Sequence, residues 1–216
     1  MRALTPLEAR VLGVLIEKQA TVPDTYPLSL NALLAGCNQK TARQPVIEAH
    51  EADLLVALEG LKAMSLVFEG GGSRVVKFEH NTARVLHLPG AAVALLAVLM
   101  LRGPQTSAEL RLNAERLHRF ADISSVEGFL EELAAKPEPL VVKLARAPGE
   151  REARWAQLLG GAVLQPTARE GGDDRPALDV PAGELAAIKA EQARLVAEVA
   201  ELKDLVHRMA RELGIS

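Results

Sequence analysis

The amino-acid sequence predicts a mainly α-helical protein with small β-hairpins, and three features carry that prediction. Two long stretches of the chain show the same order of helix-start signals, polar connectors and hairpin signals. The second stretch begins with the apolar run from Ala91 to Leu101, which suits a buried helix and is too short to span a membrane. Near the C-terminus, apolar residues recur at alternating spacings of three and four, the pattern of a helix that pairs with another helix.

Residues 1–86 carry the first copy of the repeated layout. Thr5-Pro6-Leu7-Glu8 combines a capping box, in which the hydroxyl and the carboxylate satisfy free backbone N–H groups, with Pro at the first helical position. Ser29 is expected to cap a short second helix, and the polar connector from Asn38 to Pro45 is expected to be irregular. A third helix is predicted over about Glu51 to Met64, with a stripe of leucines on its buried side.

Residues 87–164 carry the second copy. Its first helix is apolar on nearly all sides, so both copies are expected to pack against it. Arg102-Gly103-Pro104 ends that helix, and Thr106 with Glu109 forms a capping box for the next one. Ser124 with Glu127 has the spacing of a further capping box and predicts the start of the third helix.

A β-hairpin is predicted after the third helix of each copy. In the first copy two short apolar runs flank the tip Gly70-Gly71-Gly72-Ser73, and in the second they flank Pro148-Gly149. Three helices followed by a hairpin is the plan of a winged-helix domain, a variant of the helix-turn-helix. We therefore predict two tandem winged-helix domains, at residues 1–86 and 87–164. The order of the elements carries this prediction, because direct identity between the two copies is slight.

The rest of the chain is predicted to be a linker followed by a pairing helix. Residues 165–181 have the Pro-, Gly- and Asp-rich composition of a flexible linker. Residues 182–214 are predicted to form a C-terminal heptad helix, with Gln192 as a polar interruption of its seam. Two parallel copies of this helix would form a coiled coil and a homodimer, whereas the alternative is an amphipathic helix docked on its own second domain. The residues predicted to make the dimer contact are Leu185, Ile188, Leu195, Val199, Leu202, Val206 and Met209.

Composition and charge limit the possible functions. No apolar signal sequence opens the chain and Cys37 is its single cysteine, so we expect a protein of the reducing cytoplasm that does not bind membranes. Basic and acidic residues balance in residues 1–88 and again in residues 89–165, and the net charge of −3 comes from the remainder. The histidines lack metal-ligand spacing, and Cys37 is expected to be a buried small apolar residue. We therefore expect a protein that is not an enzyme and that carries no metal or cofactor.

Double-stranded DNA is one candidate partner. The third helix of a winged helix normally enters the major groove, but both predicted third helices here carry more acidic than basic residues. Because phosphates repel carboxylates, we expect any DNA contact to use the connectors and the hairpins. The residues predicted to bind the DNA backbone are Lys40, Arg43, Arg74, Arg111, Arg116, Arg119, Arg151 and Arg154. The alternative is that these side chains pair with nearby carboxylates such as Glu115, Glu150 and Glu152.

Several motifs resemble those of one bacterial family. PLSLNALLAGCNQK, the GSR and EH around the first hairpin, LRGPQTSAEL, ERLHRFAD and RAPGEREAR resemble the YceH-like family over about residues 3–160. The resemblance implies a tandem pair of winged-helix domains with a helical tail, and it implies no activity. Where members usually have Arg-Asp-Pro-Val, this chain has Arg43-Gln44-Pro45-Val46 after Ala42, and His50 stands where a Ser often precedes the third helix.

Two functional hypotheses from different classes follow from these features. The first is a dimeric DNA-binding regulator that contacts the DNA backbone through its connectors and wings. The second is a protein–protein interaction scaffold built from tandem winged helices, with no nucleic acid. The composition favours the second hypothesis, because neither copy of the layout is basic overall. The frequency of the fold among DNA-binding proteins favours the first.

Overall fold

The computed structural model describes residues 1–70, 75–146 and 152–161 of the chain. The predicted linker, the heptad helix with all its dimerisation residues, and the predicted DNA contacts Arg74 and Arg151 lie outside the described residues. The pairing helix and its alternative, docking on the second domain, therefore stay predictions.

Within the described part of residues 1–86, three predicted helices and a predicted hairpin are confirmed. The elements are α1 (Pro6–Thr21), a 3-10 turn (Pro23–Thr25), β1 (Leu28–Ser29), α2 (Leu30–Cys37), α3 (Glu51–Ala63), β2 (Val67–Gly70), β3 (Lys77–His80) and α4 (Thr82–Val85). The strand β1 and the one-turn helix α4 were not expected from the sequence. Both are too short to show a hydrophobic period, so no pattern indicated them.

The predicted caps begin the first two helices. The hydroxyl of Thr5 accepts a hydrogen bond from the Glu8 N–H at 3.2 Å, and the Glu8 carboxylate accepts one from the Thr5 N–H at 2.7 Å. The hydroxyl of Ser29 accepts a hydrogen bond from the Ala32 N–H at 3.3 Å. Such a cap contributes about 1 kcal/mol by satisfying N–H groups that have no partner inside the helix. The sequence signals for α1 and α2 are thereby confirmed in atomic detail.

The strands of this half form a small antiparallel sheet in the order β1-β3-β2. Leu28 lies opposite Phe78 across β1 and β3, and both side chains are buried. Val67 lies opposite His80 across β2 and β3. The central strand β3 packs against α1, so the sheet closes one side of the helical core.

The second half repeats this order of elements. They are α5 (Gly90–Arg102), α6 (Ser107–Ala114), α7 (Ile123–Ala134), β4 (Val141–Lys143) and β5 (Trp155–Gln157). Where the first half has β1, Gln105 and Trp155 exchange two backbone hydrogen bonds of 3.1 and 2.7 Å. Both halves therefore have a short strand contact immediately before the capped second helix. This arrangement is compatible with a winged-helix-like architecture, and the division into two domains at residue 86 stays a prediction.

The predicted capping box at the start of α7 was wrong. The cap is Asp122, whose carboxylate accepts hydrogen bonds from both the backbone N–H and the hydroxyl of Ser125 at 2.7 Å. These hydrogen bonds hold the pKa of Asp122 below its usual value. The helix begins at Ile123, so Ser124 lies inside the first turn and cannot serve as the cap. By contrast, the predicted box of Thr106 and Glu109 is confirmed at the start of α6.

The helix α5 lies at the centre of the core that the described residues form. All its residues from Ala91 to Leu101 are buried, and it packs against α1 as well as against α6, α7 and β5. Gly13 of α1 faces Leu101 and Met100 of α5, which lets the two helices approach closely. The prediction that both copies pack against this helix is confirmed, and the buried side chains form one cluster across residue 86. None of the described helices is both long and apolar enough to cross a bilayer.

Candidate functional site

The loop between α2 and α3, residues 38–50, is irregular as predicted, and Arg43 holds it in place. The Arg43 side chain is fully buried and all five of its N–H donors are used. Its guanidinium donates to the Glu17 carboxylate of α1, with a shortest distance of 2.5 Å, and to Gln39 at 2.7 Å. It also donates to the carbonyl oxygens of Gly36 at 3.1 Å and Ala42 at 2.9 Å.

Two further polar side chains fix the same loop. Arg10 of α1 is buried and donates to the carbonyl oxygens of Cys37 at 3.2 Å and Pro45 at 2.6 Å. Asn38 exchanges two hydrogen bonds with the backbone of Ala49, at 2.8 and 2.9 Å. Because these groups tie both ends and the middle of the loop to α1 and α2, its conformation is set before any partner binds.

The prediction of Arg43 as a DNA contact was wrong for this reason. A side chain that is buried and whose donors are all satisfied has no group left to offer a phosphate. The composition of the connector did not indicate that Arg43 is buried, because an arginine in a polar stretch usually lies at the surface. Lys40 of the same loop is exposed, and no carboxylate of the described residues lies within ion-pair distance of it. Lys40 therefore stays a candidate contact.

A polar cleft of about 330 Å³ lies between this loop, the end of α5, the start of α6 and the residue before β5. We call it the Gln105 cleft. Its polar lining consists of Arg43, Gln44, Arg102, Gln105, Glu109, Asn113 and Arg154. Two of the sequence motifs that are far apart in the chain, LRGPQTSAEL and RAPGEREAR, contribute residues to this cleft, and Gln44 comes from the connector after α2.

Arg154, another predicted DNA contact, lies in this cleft and is engaged there. Its guanidinium donates to the Glu109 carboxylate at 3.0 Å and to the Pro104 carbonyl oxygen at 3.3 Å. The same oxygen of Glu109 accepts the capping hydrogen bond from the Thr106 N–H at 2.9 Å. Arg154 thus links β5 to the start of α6, and its positive charge is paired within the protein.

The structure brings Arg111, Arg116 and Arg119 to one region, at α6 and the connector that follows it. Arg111 and Arg119 line one pocket of about 130 Å³, which Arg116 does not. Arg111 donates to the carbonyl oxygen of Ala121 at 3.3 Å, and Arg119 lies 3.9 Å from the Glu115 carboxylate with 87% of its side chain exposed. Arg116 is exposed and has no ion pair with the described residues. Of the predicted DNA contacts, Arg116 and Arg119 are thus exposed in the same connector, and Arg111 shares a pocket with Arg119.

The outward face of α3 is apolar at its centre and acidic at its edges. Val56 and Leu55 are 73% and 44% exposed, whereas Leu54 and Leu58 on the other side are buried as predicted. The exposed acidic residues of the same helix are Glu51, Asp53 and Glu59. The only basic residue of α3 is Lys62, which pairs with Glu59 at 2.6 Å and Glu69 at 2.9 Å. The sequence pattern contained this signal, because a helix with Leu54 and Leu58 buried turns Leu55 and Val56 toward solvent.

Burial shifts the pKa of two titratable groups of the described residues strongly, and the two groups belong to different parts of the first half. Cys37 is fully buried, and burial raises the pKa of its thiol to about 12, so it behaves as the predicted apolar residue. Burial lowers the pKa of His80 to about 4, which keeps its ring neutral at physiological pH. Among the described residues, no group of three or more His, Cys, Asp or Glu side chains could hold a metal ion.

The fold and these surfaces define a mainly helical protein with small antiparallel strand pairs, compatible with a winged-helix-like architecture. Residues 4–150 match the family described as "Protein of unknown function, DUF480", and the chain belongs to this family. A UPF0502 protein of Burkholderia pseudomallei (strain 668) is 64% identical over 215 residues, which cover 100% of this chain and 91% of the relative. UPF0502 proteins of Burkholderia vietnamiensis and Burkholderia cenocepacia are 63% and 62% identical at the same coverage. The family resemblance stated from the motifs is confirmed.

Proposed function

We propose that this protein is a non-enzymatic interaction protein whose helix α3 binds another protein. One observation carries the proposal: Val56 and Leu55 expose large aliphatic side chains at the centre of the outward face of α3. Aliphatic side chains next to each other on an exposed helix cost free energy in water, which a partner removes on binding. The repeated order of elements supports the view that α3 is the third helix of the first of two tandem winged-helix domains.

The charges around this face favour a protein over DNA. Glu51, Asp53 and Glu59 border the aliphatic pair, and a DNA backbone would bring its phosphates close to them. The corresponding helix α7 exposes Glu131 and Glu132, so the second copy offers DNA no better third helix. A protein segment with an aliphatic or aromatic anchor flanked by Lys or Arg would match the α3 face in both polarity and charge.

A photo-crosslinking amino acid placed at Val56 in living cells tests the proposal. We expect it to capture one defined protein, because an interface centred on Val56 holds that partner within reach. The matched control is the same amino acid at Ser124, which is exposed at the start of α7. The captured protein is then identified and purified, and its affinity for the unmodified chain is measured by calorimetry.

The affinity measurement decides the outcome. We expect Val56→Asp to weaken binding of the purified partner at least about tenfold, since an anchor side chain at the centre of an interface contributes about 2 kcal/mol or more. Glu59→Lys is expected to weaken it as well, because the partner segment is basic. Equal capture from Val56 and Ser124, or a partner whose affinity neither substitution changes, would contradict a binding role for α3.

A DNA-binding role is the second candidate, and it is supported by the grouping of Arg111, Arg116 and Arg119 on α6 and its connector. These arginines and Lys40 would bind the phosphates of the DNA backbone. The acidic helices α3 and α7 would then stay outside the major groove. If residues 182–214 pair two chains, the dimer would present two such surfaces to a two-fold symmetric site. In this second function the residue expected to matter most is Arg116, which has no ion pair with the described residues.

A further inference from the structure

The Gln105 cleft has no part in the proposed α3 interaction, yet it has the features of a binding site. We propose that it binds a small anionic ligand through an oxyanion group, either a carboxylate or a phosphate. Its volume of about 330 Å³ lies within the range of small-molecule sites and is too small for a folded partner.

The first argument is the amide of Gln105, whose NH₂ group makes no hydrogen bond to the described residues. Gln105 is only 5% exposed, and its side-chain oxygen accepts a hydrogen bond from the Asn113 amide at 2.8 Å. The NH₂ group of Gln105 donates to none of the described residues, and it is not one of their buried polar atoms that lack a partner, so it is accessible to water or to a ligand. Because Gln105 lines the cleft, an oxygen atom of a ligand would accept from this group in place of water.

The second argument is the charge of the lining. Two of its three arginines are neutralised inside the protein, because Arg43 pairs with Glu17 and Arg154 pairs with Glu109. Arg102 is the third, and no carboxylate of the described residues lies within ion-pair distance of it. The described residues of the lining therefore leave the positive charge of Arg102 unpaired, and an oxyanion would neutralise it with charge-assisted hydrogen bonds.

The third argument is that the site is held rigidly. Arg102 and Gln105 flank the turn between α5 and α6, and the Gln105 backbone is fixed by its two hydrogen bonds to Trp155. On the opposite wall the Gln44 N–H donates to the Leu101 carbonyl oxygen at 2.8 Å. Because the binding groups are already in place, a ligand that enters the cleft does not have to order them, and the entropic cost of binding is small.

The test uses the full chain and the fluorescence of Trp155, the only tryptophan in the sequence. The backbone of Trp155 is hydrogen-bonded to that of Gln105, so a ligand in the cleft is expected to change the emission of Trp155. The probes are inorganic phosphate and malonate at constant ionic strength, with neutral malonamide as the control. We expect a saturable response to at least one anion, with a Kd of about 1 mM or lower, and none to malonamide. Tighter binding of phosphate would identify the ligand group as a phosphate, and tighter binding of malonate would identify it as a carboxylate.

Three variants make the result specific. Arg102→Gln is expected to weaken binding of the anion at least about tenfold, because it removes a charged hydrogen-bond donor. Gln44→Glu adds a negative charge at an exposed position of the lining and is expected to weaken binding without affecting the fold. Arg84→Gln removes an exposed charge on α4, outside the cleft, and should leave the affinity unchanged. No saturable response to either anion, or an equal loss in Arg84→Gln and Arg102→Gln, would overturn the proposal.

Discussion

Replacing Arg43 by Met is expected to destabilise the protein by about 3–5 kcal/mol, the cost of removing one partner of a buried ion pair. The substitution leaves the Glu17 carboxylate, 17% exposed, without its guanidinium partner. It also leaves the carbonyl oxygens of Gly36 and Ala42 without the hydrogen bonds that Arg43 donates. The free energy of unfolding, measured with urea and far-UV circular dichroism, checks the prediction.

Lys40→Met is the matched control, because Lys40 lies exposed in the same loop and its loss is expected to cost at most about 0.5 kcal/mol. An Arg43→Met variant as stable as this control would show that the loop does not depend on Arg43.

The effect of Arg43→Met should also depend on pH. Burial raises the pKa of Glu17, but the hydrogen bond and charge of Arg43, together with Lys18, lower it by more, so the pKa in the folded protein lies below its usual value. A carboxyl group with a lowered pKa stabilises the fold above its unfolded-state pKa, about 4.5, and loses that contribution as the pH falls through its folded-state pKa. We therefore expect the stability difference between wild type and Arg43→Met to be full above about pH 5 and to shrink in acid.

Replacing Leu101 by Ala is expected to cost about 2–5 kcal/mol and to destabilise both halves of the chain together. Leu101 is 3% exposed and lies where α5 meets Gly13 of α1, so its removal leaves a cavity between the two halves. Each half carries one natural probe: Cys37 is the only cysteine and Trp155 the only tryptophan. Exposure of the Cys37 thiol to a labelling reagent and the emission of Trp155 follow the unfolding of each half in urea.

With one shared core, the two probes report the same midpoint, and Leu101→Ala lowers both midpoints equally. The control is Leu112→Ala, because Leu112 is 68% exposed and its truncation should cost at most about 0.5 kcal/mol. A Trp155 transition that moves while the Cys37 transition stays in place would show that the halves unfold as separate domains.

The parts of the fold that the sequence predicted are those with local signals. The capping boxes at Thr5 and Thr106 and the apolar stripe of α5 depend on residues close together in the chain, and each lies where the pattern placed it. The cap of α7 was assigned to Ser124 because a Ser–Glu spacing matched the capping box. Asp122, two residues earlier, supplies a carboxylate that accepts two hydrogen bonds from Ser125 and begins the helix instead.

The candidate surfaces were predicted less well, because they depend on contacts between distant residues. Arg43 and Arg154 were counted as surface cations, and their partners Glu17 and Glu109 lie 26 and 45 residues away in the chain. Nothing in the local pattern near Gln105 indicates that its amide faces a cleft shared with Gln44. The outward face of α3 was not predicted either, although the helical period of its buried leucines was sufficient to place Leu55 and Val56 on the solvent side.

The most direct test of a protein-binding rather than a DNA-binding role is a titration of a labelled, mixed-sequence DNA duplex with the full-length protein. Fluorescence anisotropy is measured at about 50 mM salt and then at rising salt, where backbone contacts weaken steeply. We predict no saturable binding at micromolar protein, because both third helices present carboxylates to the duplex. Tight binding that falls steeply with salt and is weakened by Arg116→Ala would contradict this and establish DNA as the partner.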